Sequence, residues 1–210
     1  MEKSKIIYPK LLSALLLFAL ILPACKNYTP EQEEYIKRIE ALRKQKNLSF
    51  MQDPNSPFNQ DPKAVFHPLN YYDVNPDFVF KSKLTEYEKK DTVTIYGTKG
   101  EERKAVRYGY LTFTYGGKQY KLNVYENDEG NGQKYYSIWF TDKTTNKETY
   151  GVGRYLKFSL NSDPDHEYII DFNLAFNPFC AYSSNYTCAI PTKEDYIDLA
   201  IEAGEKKFHD

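Results

Sequence analysis

The sequence of 210 residues has few of the side chains that build metal centres and nucleophilic sites. It contains three cysteines and three histidines, and His67, His166 and His209 lie far apart in the chain. Two of the cysteines have seven residues between them, whereas a typical zinc site has pairs with roughly two to four residues between them. We therefore expect no metal site, and no motif predicts a cofactor.

An excess of charge of either sign is also absent. The 28 lysines and arginines are balanced by 29 aspartates and glutamates, which gives a formal net charge of −1. Proteins that bind nucleic acid usually carry a basic run or a strongly basic surface. The charge balance therefore argues against nucleic acid as a partner.

Long apolar runs are limited to residues 11–22, which are too few for a bilayer-spanning helix of roughly 20 residues. Three lysines precede the run, and Cys25 follows it in the sequence LPAC. This order resembles the signal peptide of bacterial lipoproteins, in which the cysteine receives lipid, although Pro23 departs from the usual small residue. An ordinary cleaved signal peptide with an incidental cysteine is the alternative.

We expect residues 1–24 to be removed and residues 25–29 to form a lipidated tether. The cysteine of such proteins carries three hydrocarbon chains, and two already give stable anchoring, so the membrane is the first expected partner. Lys26 stands where an aspartate would resemble an inner-membrane retention signal, and no acidic run follows it. The expected location is therefore the outer membrane, on the side that faces the periplasm.

The rest of the chain has the length of one domain. Residues 29–32, TPEQ, combine a capping threonine, a proline at the first helical position and a glutamine at the third, which predicts a helix from about Pro30 to Lys46. Five prolines interrupt residues 47–77, so we expect residues 30–77 to form a helix and an extended wrap.

Residues 78–210 read as a β-rich core. Alternating apolar residues recur in about eight short runs, and Gly116-Gly117 between two of them predicts a hairpin. This pattern favours a mainly β (α+β) fold, a small antiparallel barrel or sandwich with the N-terminal helix beside it. Thr192 is a candidate cap for a short C-terminal helix over residues 193–204.

Five residues near two restrained turns form a predicted ligand-binding patch: Arg154, Asp171, Asn173, Asn177 and Tyr182. An arginine beside the glycines of Gly151-Val152-Gly153 can clamp a carboxylate or phosphate with two hydrogen bonds. Structural alternatives are an ion pair of Arg154 with Asp171 and turns closed by the asparagines. The three oxygen ligands at 171, 173 and 177 are too few for a calcium loop.

Cys180 and Cys188 allow three interpretations. An even pair in an oxidising compartment favours a disulfide, which would close a nine-residue loop and contribute roughly 2–3 kcal/mol. Unpaired structural thiols are the second interpretation. The third is catalysis, with Cys180 as nucleophile, a histidine such as His166 as its partner and Asp171 as the group that orients the histidine.

Several segments together resemble a bacterial family known only as domain of unknown function 1684. They are SPF at 56–58, FHPLNYYDVNPDF at 66–78, TYGVGRYL at 149–156, DFNLAFNPFCAYSSNYTC at 171–188 and AIEAGEK at 200–206. Asp195 departs from the asparagine of the family pattern. The resemblance implies one domain over about residues 30–207, but the family has no established activity from which a mechanism would follow.

Three functions remain open at this point. The first is a non-catalytic module in the cell envelope that binds a small molecule or a protein partner. The second is a periplasmic thiol-dependent hydrolase or transferase with Cys180 as nucleophile. The third is a purely structural lipoprotein within a larger envelope complex.

The lipid anchor is directly testable with Cys25→Ser. In cells given a labelled palmitate analogue, we expect the parent chain to carry label and to sediment with membranes, and the variant to lose both properties. Cys188→Ser is the matched cysteine control and should keep both. Label that persists on Cys25→Ser would contradict the assignment.

Overall fold

A computed structural model describes residues 27–128, 130 and 132–209. The predicted signal peptide, Cys25 and most of the tether lie outside the described residues, so these assignments stay predictions. No helix among the described residues is long and apolar enough to cross a membrane.

Helix α1 runs from Pro30 to Gln52. The predicted capping box is confirmed, because Thr29 and Gln32 bond each other's backbone amides. The helix continues beyond the predicted end at Lys46, since no proline interrupts it before Pro54. Only Ile39 and Phe50 are buried along its length, so α1 rests on the domain through a narrow contact.

An extended segment with a short 3-10 turn at Pro76–Phe78 leads from α1 to nine strands. The strands are β1 (Val79–Lys83), β2 (Thr85–Glu86), β3 (Thr92–Tyr96), β4 (Glu102–Tyr115), β5 (Lys118–Asp128), β6 (Lys134–Asp142), β7 (Arg154–Lys157), β8 (Glu167–Asp171) and β9 (Tyr196–Ile197).

Seven of these strands form the main sheet, in the order β2-β4-β5-β6-β7, with β3 also paired to β4 and β9 to β6. All pairings are antiparallel except β6 with β9, and β1 pairs with β8 in a separate two-stranded sheet. The predicted hairpin turn is confirmed, since Gly116 and Gly117 both have positive φ between β4 and β5. The mainly β class is thus confirmed, and the described strands form no closed barrel.

The main core lies between the sheet and the β1–β8 pair. Phe172, directly after β8, is fully buried and its ring contacts the rings of Phe78, Phe80, Phe113 and Phe140. Aromatic residues of both sheets therefore meet at one side chain, which fixes the end of β8 against the main sheet.

The predicted C-terminal helix over residues 193–204 is wrong. Thr192 caps only one 3-10 turn, Lys193–Asp195, after which the chain enters β9 and then runs without regular structure. Ile197 and Ile201 have helical spacing and are both buried, but the segment that carries them is not helical. The side chain of Arg154 bonds the carbonyls of Ile201 and Ala203, which in a helix would point along the helix axis.

Phe172→Ala tests the position of the core. We expect this variant to lose about 3–5 kcal/mol of unfolding free energy, because it removes a side chain that is 0% exposed. Val65→Ala, at a position 75% exposed, should change it by less than about 0.5 kcal/mol. Urea unfolding followed by tryptophan fluorescence measures both, and equal effects would contradict this core.

Candidate functional site

Arg154 begins β7 with a side chain that is 1% exposed. Its Nη2 donates to Asp142 Oδ2 at 2.6 Å and to the Ile201 carbonyl at 2.9 Å, and its Nη1 donates to the Ala203 carbonyl. The suggested ion pair with Asp171 is therefore wrong, because Asp142, at the end of β6, neutralises the guanidinium. Arg154 holds the C-terminal segment on the sheet and offers no surface to a ligand.

Asp171 and Asn173 lie instead under the first half of α1. The hydroxyl of Tyr35 donates to Asp171 Oδ1 at 2.8 Å. Asn173 exchanges two hydrogen bonds with the backbone of Asn75, at 2.8 and 2.9 Å. Burial, followed by the charge of Asp171, raises the pKa of Tyr35, so the phenol stays a donor. These residues join α1, the segment before β1 and the end of β8.

Asn177 and Tyr182 bond Glu205, a residue that the sequence analysis did not single out. Oε2 of this buried carboxylate accepts hydrogen bonds from the backbone amide of Asn177 at 2.8 Å and from the Tyr182 hydroxyl at 2.5 Å. Its Oε1 accepts from Lys46 of α1 at 2.5 Å. The only sequence signal for Glu205 was its place in AIEAGEK, which carries the family resemblance.

The predicted patch thus consists of three separate clusters around Asp142, Tyr35 and Glu205. Two of these clusters flank a groove between α1 and the sheet, which we call the α1 groove. The groove has a volume of about 750 Å³. Its deeper lining is apolar and comes from the main sheet and β8: Leu111, Ile138, Leu156, Tyr168 and Ile170.

The mouth of the α1 groove is also apolar. Leu42, Ile169, Leu174 and Phe179 line it, and each is large, hydrophobic and substantially exposed. Isolated exposed apolar residues are common, but four around one concave opening form a contiguous patch of the kind that marks binding surfaces.

The polar end of the α1 groove carries Arg43, Lys46, Tyr71 and Glu205. The guanidinium of Arg43 lies 4.4 Å from the centre of the Tyr71 ring and donates to the Tyr72 carbonyl at 2.8 Å. Its buried Nε has no hydrogen-bond partner among the described residues. Lys46 is paired with Glu205, whereas Arg43 makes no ion pair in the described part of the chain and feels the charges of Glu205 and Glu40 only at longer range.

A second hollow, of about 500 Å³, lies beside His67 and the C-terminal residues Lys207–His209. This hollow is more open to solvent than the α1 groove and its accessible surface is mainly polar, and the ring of His67 stacks on that of Phe208 at 3.8 Å between centres. The α1 groove fits the usual description of a ligand site better, since such sites are concave, mostly apolar and served by a few polar groups.

Both cysteines are free thiols that face each other, and the Cys180 amide donates to Cys188 Sγ at 3.2 Å. The disulfide stays a prediction. The catalytic arrangement proposed from the sequence is not assembled among the described residues. The ring of His166 lies beside Asn161 at 3.2 Å, and Asp171 accepts from Tyr35, so neither residue is a partner of Cys180.

A mainly β domain with one docked helix over an apolar groove is the class of protein that this structure defines. The chain belongs to the family described as protein of unknown function (DUF1684), whose model matches residues 64–206. Membership confirms the family resemblance, while the lipoprotein assignment stays a prediction.

A solved structure supports the same fold. The solution NMR structure of the uncharacterized protein from gene locus rrnAC0354 of Haloarcula marismortui is 28% identical, with a TM-score of 0.58. The match covers 84% of this chain and 96% of that chain, which is a longer span than the family segment alone. No curated protein matches this sequence.

Arg154→Met tests the structural assignment of Arg154. We expect a loss of about 3–5 kcal/mol in unfolding free energy, because the variant leaves the Asp142 carboxylate buried without its partner. Lys83→Ala, which removes an exposed pair with Asp165, should cause no resolvable change. Chemical denaturation of both variants gives the comparison, and a loss below about 1 kcal/mol for Arg154→Met would contradict the assignment.

Proposed function

We propose that this protein is a lipid-anchored envelope protein whose α1 groove binds, without catalysis in the groove, one amphiphilic molecule, a hydrocarbon chain with an anionic end group. The observation that carries the proposal is a groove with an apolar floor and an apolar mouth that ends at an arginine without an acidic partner among the described residues.

The dimensions of the groove support a small-molecule ligand. Pockets for such ligands typically have volumes of roughly 300–1,000 Å³, and the α1 groove lies within this range at about 750 Å³. Burial of a hydrocarbon chain in it contributes about 0.8 kcal/mol for each methylene group removed from water. An apolar chain of moderate length is therefore sufficient for micromolar binding, even after the cost of ordering the ligand.

The charge of the groove supports an anionic end group. Arg43, Lys46 and Lys157 line it, against the carboxylates of Asp171 and Glu205. Asp171 accepts from Tyr35, and Glu205 accepts from Lys46 and Tyr182, so both acids already have hydrogen-bonded partners. Arg43 is the group with donor capacity left, and guanidinium groups bind carboxylates and phosphates through charge-assisted hydrogen bonds.

The proposed anchor supports a ligand that comes from the membrane. Helix α1 begins at Pro30, five residues after Cys25, and five extended residues span roughly 18 Å at most. A lipid on Cys25 would hold the start of α1 close to the bilayer. The groove beneath this helix would then be near a source of amphiphilic molecules.

Leu42→Glu tests the groove with a fluorescent long-chain fatty acid as the probe. We expect the parent protein to bind the probe and Leu42→Glu to raise its Kd at least about tenfold, because the variant loses an apolar contact and repels the carboxylate. The methyl ester of the probe should bind the parent more weakly than the acid, since it lacks the charge that Arg43 recognises. Fluorescence titration gives the three Kd values, for the acid with the parent, the acid with Leu42→Glu and the ester with the parent.

Leu48→Glu is the matched control, because Leu48 lies on the same helix, is 51% exposed against 43% for Leu42, and does not line the groove. It should bind the probe as the parent does. Equal weakening in both variants, or no saturable binding by the parent, would overturn the proposal. If the parent binds the acid and its methyl ester with equal affinity, the groove is an apolar site that does not recognise charge. This result would refute the part of the proposal that concerns Arg43.

A further inference from the structure

Cys180 and Cys188 are held in place by separate parts of the fold. Cys180 lies in a 3-10 turn, Phe179–Ala181. Cys188 is bound to the loop after β3, because its amide donates to Thr98 Oγ1 at 3.2 Å and its carbonyl accepts from the Thr98 amide at 3.0 Å. Their contact, from the Cys180 amide to Cys188 Sγ, therefore joins two elements whose positions do not depend on it.

The two thiols differ in access and in hydrogen bonding. Cys180 is partly exposed, whereas Cys188 is buried. The Tyr150 hydroxyl donates to Cys180 Sγ at 3.7 Å. Hydrogen bonding from Cys188, and then from Tyr150 and Thr98, lowers the pKa of Cys180 to about 7 against the effect of its burial. The pKa of Cys188 is raised, because this thiol donates to Cys180 and is desolvated.

We infer that Cys180 and Cys188 form a thiol–disulfide exchange site, with Cys180 as the attacking thiol and Cys188 as the resolving thiol. The substrate is a disulfide that can reach the surface at Cys180. This activity is distinct from ligand binding in the α1 groove and from the hydrolase or transferase considered from the sequence. It needs no histidine, because thiolate attack on sulfur needs no further base.

The exchange has two balanced steps. The Cys180 thiolate attacks one sulfur of the substrate disulfide, the substrate S–S bond breaks, and one substrate thiolate leaves. Cys188 then attacks the sulfur of Cys180 in the mixed disulfide, and the second substrate thiol leaves with the proton that Cys188 gives up. The protein pair is oxidised to a disulfide, and the substrate disulfide is reduced to one thiolate and one thiol.

An aromatic disulfide that releases a coloured thiolate is a suitable probe for the full chain carrying Cys25→Ser, in which Cys180 and Cys188 are the remaining cysteines. After reduction and removal of the reductant, we expect two coloured thiolates for each chain. The product should have a mass lower by two hydrogens and no attached probe.

The first release should be about fivefold to sevenfold faster at pH 6 from the folded chain than from the same chain in urea. A pKa of about 7 instead of 8.5 raises the thiolate fraction about 30-fold at this pH, and the lower nucleophilicity of the more acidic thiol reduces this gain roughly fourfold to sixfold. Stopped-flow absorbance gives both rates.

The cysteine variants identify the role of each thiol. Cys188→Ala should release one coloured thiolate and keep the probe on Cys180 as a stable mixed disulfide. Cys180→Ala should react no faster folded than unfolded, since Cys188 is buried. Leu48→Glu, which does not line the α1 groove, should exchange as the parent does, and the fatty-acid titration is a separate measurement, so failure of the groove and failure of the thiol site are distinguishable.

Two results would overturn the inference. One is a stable mixed disulfide on the parent, because Cys188 would then not resolve it. The other is a native disulfide that a small dithiol reduces only after unfolding, because the pair would then be a structural link. If a variant fails to fold, the stoichiometry and rate of the parent chain still decide between these outcomes.

Discussion

The buried ion pair between Arg154 and Asp142 is the interaction on which the rest of the arrangement depends. The guanidinium of Arg154 also donates hydrogen bonds to the carbonyls of Ile201 and Ala203. These bonds hold an irregular segment against the sheet. Without these bonds the buried carbonyls would lack partners, at a cost of about 1–3 kcal/mol each. The same attachment sets the position of Glu205, whose carboxylate accepts a hydrogen bond from Lys46 of α1.

Helix α1 is attached to the domain mainly by polar contacts spaced along its length. Tyr35 bonds Asp171, Arg43 bonds the Tyr72 carbonyl and Lys46 bonds Glu205. With only Ile39 and Phe50 buried, the helix does not fill the space over the sheet. The apolar residues beneath it are therefore left as the floor of a groove, and the proposed ligand would supply the packing that the helix does not.

Sequence reasoning predicted a single ligand-binding patch, whereas the structure distributes its residues over three clusters. Five residues predicted as one ligand-binding patch are all buried and belong to different clusters: Arg154, Asp171, Asn173, Asn177 and Tyr182. Their partners come from remote segments: Asp171 meets Tyr35 and Tyr182 meets Glu205. No local pattern reports such pairings, because side-chain hydrogen bonds across the fold depend on strand order and register.

The sequence by itself determined the elements whose causes are local. The capping box determined where α1 begins, the paired glycines determined the turn between β4 and β5, and the alternation of apolar residues specified a mainly β domain. The resemblance of whole motifs, and not this alternation, indicated the DUF1684 family. Tertiary structure alone decided the end of the chain, where burial of Ile197 and Ile201 overrode helical spacing. It also decided the α1 groove and the contact of Cys180 with Cys188, since both form between segments that only packing brings together.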